Sequence, residues 1–294
     1  MIARFVLRVV AVIGGLIGLA LGSATALGVL LGLEVLRARS SAHNHAGVTV
    51  PHASGRYAAG GAAADRADDA GGDEIRLAML GDSLAVGVGA GRAEDTVGMR
   101  VARSLAAHLD RPVSVRSVAV VGAEARHLDA QIDALHDLDD RTDIAIIVIG
   151  SNDVLGLTRV RSSCRDLYRA VRRLRAAGSH VIVATCPDLG TLRLLFQPLR
   201  SVVGRMSRRM AIAQTRVVVG AGGRAVPLGT TLGAMFWHKP DSMFAADRFH
   251  PSPLGYARAA AVIFPSALAA VEGSTADRGS GSRGARRRGS GLAR

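Results

Sequence analysis

The chain has 294 residues, with 37 Lys and Arg against 24 Asp and Glu, for a formal net charge of +13. Hydrophobic residues make up 49%, aromatics 3%, and there are two cysteines. That apolar content excludes a mainly disordered chain, and two cysteines exclude both a disulfide-stapled scaffold and a four-cysteine zinc ribbon.

Val9 to Leu33 is an uncharged run of 25 residues. As a helix it is about 37 Å long, and a hydrocarbon core is about 30 Å thick. Arg4 and Arg8 precede it, which keeps the N-terminus in the cytoplasm, while Arg37 and Arg39 behind it oppose that orientation. Residues 1–39 therefore read as a transmembrane helix that anchors an extracytoplasmic domain. The other reading is a signal peptide and a secreted product, because Ala24-Thr25-Ala26 offers small residues for cleavage. A buried helix of a soluble protein would carry a polar face, and this run has none.

Residues 40–74 are mostly Ala, Gly, His and Asp. Such a segment buries too little apolar surface to offset its ordering entropy, so it reads as a disordered linker. His43, His45 and His52 lie in it and read as solvated rather than as metal ligands. The tail, 272–294, is Gly, Ser and Arg and reads as disordered and basic.

The folded domain is 75–271. Ile75–Leu80, Val113–Val121, Ile144–Ile149, Val181–Thr185 and Arg224–Leu228 read as strands, and Ile144–Ile149 has the continuous apolar character of a strand buried on both faces. Thr96–Leu109, Ala125–Leu138, Arg165–Ala177, Val202–Val218 and Pro253–Val271 read as helices. Alternation of this kind predicts an α/β fold with a central parallel sheet and helices on both faces. In such sheets chemistry gathers at the carboxyl ends of the strands.

Four polar signals fall at that edge: Gly81-Asp82-Ser83-Leu84, Gly122, Gly150-Ser151-Asn152-Asp153, and Asp247-Arg248-Phe249-His250. Together they meet the needs of acyl transfer, which requires a nucleophile, a base, a group to orient the base, and donors for an oxyanion. Ser83 sits at a strand-to-helix turn. His250 lies in a loop free to reach it, and Asp247 is one turn before His250. The N–H groups of Ser83 and Gly122 and the side-chain amide of Asn152 are the oxyanion donors. Taken singly, Ser83 also fits a helix cap, and the Asn152 and Asp247 segments fit turns.

These four marks, in this order, resemble the GDSL or SGNH hydrolase superfamily across 75–271. The resemblance implies a three-layer α/β/α sandwich, Ser83 as nucleophile, Asp247 and His250 as its triad partners, and an oxyanion hole of Ser83, Gly122 and Asn152. It also implies no metal and no cofactor, and an activity among esterases, lipases, thioesterases and carbohydrate deacetylases. Two rival motifs fail. Arg92 stands where a dinucleotide loop from Gly87 needs its third glycine, and Ala85 stands where the nucleophile elbow of α/β-hydrolases needs glycine.

Two apolar loops approach the same edge, Pro187–Arg200 and Gly229–Ala246. They favour a lipid-like acyl ester over a sugar acetate. Cys164 and Cys186 are placed near the catalytic edge, either as a disulfide or as two buried thiols. The net charge is +3 over 1–40, −3 over 41–74, +9 over 75–271 and +4 over 272–294, so it is spread out rather than gathered in one arm. Arginines cluster on the helices at 165–175 and 205–216 without the aromatic partners of a nucleic-acid site, so they read as solvated faces, with an anionic membrane surface second. The expectation is a membrane-tethered serine esterase. Acyl transfer, carbohydrate deacetylation and a non-catalytic envelope binding protein are the alternatives.

Overall fold

The computed structural model describes residues 51, 53–64, 73–137 and 141–288, with side chains described as far as residue 273. The expected anchor or signal at 1–39, the three histidines of the linker and the last residues of the tail lie outside the described residues.

Six strands form one sheet: β1 Gly55–Tyr57, β2 Ile75–Gly81, β3 Val113–Ser117, β4 Ile144–Val148, β5 His180–Ala184 and β6 Arg224–Val226, in the order β1-β3-β2-β4-β5-β6. β2 to β6 run parallel to one another. β1 is not; it pairs antiparallel with β3 at the sheet edge, so the expected parallel sheet is mixed. This strand also corrects the linker. Within 40–74, the stretch from 53 to 64 belongs to the domain: Tyr57 is buried, and Arg56 forms an ion pair with Glu74 at 2.7 Å. One large apolar side chain in a three-residue strand gives no periodicity to read, which is why the segment looked featureless.

The helices are α1 Ser83–Val86, α2 Val97–Leu109, α3 Leu128–His136, α4 Ser151–Leu155, α5 Val160–Ala176, α6 Leu199–Gly220, α7 Leu228–His238, α8 Pro240–Met243 and α9 Pro253–Arg288. Side chains alternate along a strand, so β2 and β4 bury residues on both faces. Leu77, Met79, Ile144 and Ile146 pack with α2 and α9, whereas Ala78, Leu80, Ala145 and Ile147 pack with α3, α5 and α6. The result is three layers, as expected.

Two further expectations change. The loop expected at 229–246 is largely α7 and α8; Leu228, Leu232 and Phe236 recur at helical spacing, but Gly229 and Gly233 between them mask it. The tail expected to be disordered from 272 begins inside α9, which runs to Arg288. The segment Pro253–Gly273 of that helix is long and apolar enough to cross a membrane by length and composition. Its Tyr256, Ala260, Ile263, Ala267 and Ala270 are buried in the domain core, which accounts for the apolar stripe.

The arginine face of α5 is not simply solvated. Arg169 and Arg173 reach Asp129 on α3 at 2.7 and 3.0 Å, and Arg173 also meets Asp133 at 2.6 Å.

Candidate active site

Strand register sets the site. Gly81, the last residue of β2, is level with Val148, the last of β4, which is level with Ala184 at the end of β5. The chain must turn at Gly81 with φ +126°, and a Cβ there would stand 1.9 Å from the Val148 carbonyl oxygen, so only glycine fits. Asp82 then caps α1, its Oδ1 accepting the Leu84 N–H at 3.0 Å, and this presents Ser83 at the first position of the helix.

The loop before α9 carries the other two groups. Asp247 Oδ1 accepts the backbone N–H of Phe249 and of His250, each at 2.9 Å, which folds the Asp-x-x-His segment into a tight turn. Its other oxygen lies 2.6 Å from His250 Nδ1, and His250 Nε2 lies 2.9 Å from Ser83 Oγ. His250 is fully buried and Ser83 nearly so. Burial acts to raise the Asp247 carboxyl, but the bonds from His250 and the two backbone N–H groups outweigh it and hold the group below the usual carboxylate range. An ionised Asp247 keeps a proton on Nδ1 and leaves Nε2 free to accept from Ser83.

The structure thus brings Ser83, His250 and Asp247 into direct contact. Asn152 lines the same cavity as Ser83, and Gly122 lies in the loop that follows β3. Val120 donates to the Gly81 carbonyl at 3.1 Å, and Asn152 Nδ2 donates to Ala123 O at 3.1 Å, so the loop bearing Gly122 is tied to both neighbouring strand ends. The backbone N–H groups of Ser83 and Gly122 meet no acceptor among the described residues.

Two buried glutamines complete the scaffold and were not anticipated. Beyond the end of β3, the Gln131 side chain substitutes for a neighbouring strand: Oε1 accepts the Gly81 N–H at 2.8 Å and Nε2 donates to Gly81 O at 2.9 Å. Beyond the ends of β4 and β5, Gln214 accepts from Cys186 N at 2.8 Å and donates to Ile149 O at 3.1 Å. Each sits on a buried helical stripe, Gln131 with Leu128 and Leu135, Gln214 with Met210 and Val218. A lone amide on an otherwise apolar face was the available signal.

Ser83 and Asn152 open into an apolar cavity of about 80 Å³, walled by Leu84, Leu189, Leu192, Leu232, Phe236 and Phe244 among others. Both expected apolar segments contribute to it. Cys164 and Cys186 are buried and free, so the disulfide alternative is not adopted. Burial pushes the Cys164 thiol up to about 11 and Cys186 well above its usual range, which suits inert core thiols.

Comparisons with known proteins bear on the family and the fold. The GDSL-like lipase/acylhydrolase family profile matches residues 79–258. The GDSL-like esterase Rv1075c of Mycobacterium tuberculosis is 40% identical over 214 residues, covering 73% of this chain and 68% of that protein. Among solved structures, TesA superposes with a TM-score of 0.53 at 18% identity, covering 66% of this chain and 99% of that one. A mutant of Axe2, an acetyl-xylooligosaccharide esterase from Geobacillus, superposes with a TM-score of 0.52 at 18% identity, covering 65% of this chain and 93% of that one. At such identities the structural likeness speaks for the fold, while the profile and the mycobacterial relative speak for the chemistry. The chain belongs to the GDSL-like lipase/acylhydrolase family and is an ester hydrolase of the SGNH type.

Proposed function

We propose that this ester hydrolase works through Ser83 as nucleophile, His250 as general base and Asp247 as the acid that orients it, on an apolar acyl ester outside the cytoplasm, held at the membrane by the run at 9–33. The observation that carries the reading is the unbroken relay from Asp247 through His250 to Ser83, with contacts of 2.6 and 2.9 Å.

Ser83 Oγ attacks the ester carbonyl carbon as His250 Nε2 takes its proton. The carbonyl oxygen becomes an oxyanion, received by the Ser83 and Gly122 N–H groups and by the second N–H of Asn152 Nδ2. Asp247 stabilises the imidazolium. The C–O bond to the alcohol then breaks, and Nε2 returns the proton to the departing oxygen. Water, deprotonated by the same nitrogen, attacks the acyl-serine and frees the acid and Ser83. The cavity walled by Leu189, Leu192, Leu232 and Phe236 supports an acyl group longer than acetyl, because burying its methylenes there is favourable by about 0.8 kcal/mol each.

A fluorophosphonate probe tests the reading. Wild-type protein is expected to label, Ser83→Ala to lose labelling, and Asn152→Ala to slow ester turnover by about 100- to 1,000-fold. Labelling that survives Ser83→Ala refutes the assignment. Aryl esters graded from acetyl to palmitoyl then read the length of the acyl site.

A further inference from the structure

We propose that the groove around Trp237 binds an anionic group, a carboxylate or phosphate, carried on the end of the substrate remote from the scissile ester. The proposal rests on the acyl-ester reading and gives that substrate a charged terminus.

The groove has a volume of about 480 Å³ and adjoins the Ser83 cavity along Asp188, Thr191, Gly229 and Gly233, which line both. Ser83 and Asn152 line only the first cavity, so the groove lies at its far end. Its walls are polar and come from the N-terminal half of α6, with Arg200, Ser201 and Arg208, and from α7, with Trp237 and His238. An apolar chain that left the first cavity here would meet little to bury against. A charged terminus would.

The charges are arranged for an anion. Arg208 meets Asp188 at 2.9 Å, and the pair is neutral. Arg193 and Arg200 are different: their guanidinium carbons lie 5.2 and 5.3 Å from the centre of the Trp237 ring, and neither meets a carboxylate among the described residues. Arg193 spends one donor on the Trp237 carbonyl at 2.8 Å, whereas the Arg200 guanidinium makes no hydrogen bond among the described residues. Contact with an aromatic face restrains a guanidinium through its π surface and leaves its in-plane N–H donors free. Two like charges on one ring also repel, and an oxyanion bound at Arg200 offsets that repulsion. The planar fork matches the paired oxygens of carboxylate or phosphate. Trp237 thus steadies the Arg200 fork on the wall of the groove, with Arg193 on the same ring.

Trp237 is the only tryptophan in the chain, so its fluorescence reports on this groove independently of turnover. The full-length protein is titrated with monomethyl adipate, which is anionic, with neutral dimethyl adipate, and with inorganic phosphate. A Ser83→Ala background prevents hydrolysis of the probes. Saturable emission changes are expected with the two anions and not with the diester, and both are expected to vanish in Arg200→Gln and to weaken in 0.5 M salt. In turnover, Arg200→Gln is expected to raise KM about tenfold for a six-carbon aryl ester ending in carboxylate, with kcat and the methyl-ended ester unchanged. An equal response to the neutral diester, or an anion response that Arg200→Gln leaves intact, overturns the proposal. An intact anion response with neither aryl ester hydrolysed by wild-type protein would instead refute the acyl-ester reading and leave the anion site standing.

Discussion

Replacing Gln131 with Met tests how the strand end that presents Ser83 is held. The Gly81 N–H would lose its partner, the Gln131 Oε1 at 2.8 Å, while the Gly81 carbonyl would lose Nε2 at 2.9 Å but keep the Val120 N–H at 3.1 Å. The main cost is therefore one buried unpaired donor, about 1–3 kcal/mol, with up to about 1 kcal/mol more for the second bond. Met is close to Gln in volume, so no large cavity opens. A destabilisation of roughly 2–4 kcal/mol follows, which for a domain of this size lowers Tm by about 4–16 °C. Urea unfolding and calorimetry would measure it. Because Gly81 stands two residues before Ser83, the rate of fluorophosphonate labelling should fall as well. Gln131→Glu should restore little, since its second oxygen would face the Gly81 carbonyl. A Met variant within about 0.5 kcal/mol of wild type, the range of a neutral surface change, would show that the amide does not hold this strand end.

Asp247→Asn should keep the fold but lower kcat/KM for an aryl ester by about 10,000-fold, because a neutral amide lets the imidazole adopt the wrong tautomer; a loss under tenfold would remove Asp247 from the relay. Asp82 is fully buried, its Oδ2 has no hydrogen-bond partner among the described residues, and burial raises its carboxyl to about 7. Its folded value thus lies above the unfolded 3.8, so its contribution to stability is complete below 3.8 and is lost as pH rises to about 7. Asp82→Asn keeps the cap on Leu84 and should gain on wild type by up to about 4 kcal/mol between those pH values, with a constant difference above; parallel unfolding curves across that range would refute it. Asp247 has the opposite sign, its stabilisation being present above 3.8 and lost as pH falls through its lower folded value. Cys164 and Cys186 should resist dithionitrobenzoate in the folded protein and both react after unfolding without reductant. A silent unfolded chain would mean that they are oxidised.

Much of the site was legible because Ser83 and Asn152 follow strand ends and the His250 turn precedes the last helix. Ser83, Asn152 and the His250 turn stand in short motifs at the breaks in apolar runs, and their chemistry can be named without coordinates. Gln131 and Gln214 were not legible in the same way. Each looks like a polar interruption of a helical stripe until the strand end it serves is known. β1 was hidden for another reason, since Gly55–Tyr57 gains its order from pairing with β3, 58 residues further on in register at Arg56 and Ser114. The helix at Leu228–His238 was lost to its glycines, although its leucines carry the period.

The sequence by itself determined the layered α/β architecture, the order of the five parallel strands along the chain, and the residue types at the carboxyl edge of the sheet. Hydrophobic periodicity and turn chemistry are local, so a linear reading recovers them. Only the tertiary structure decided that Ser83 and His250, 167 residues apart, meet at 2.9 Å. It alone decided that Asp247 lies on the far side of the imidazole, and that two arginines gather on the chain's one tryptophan. Those contacts depend on strand register and on the packing of loops between layers. Both are set by the whole core at once, and no short window of sequence contains them.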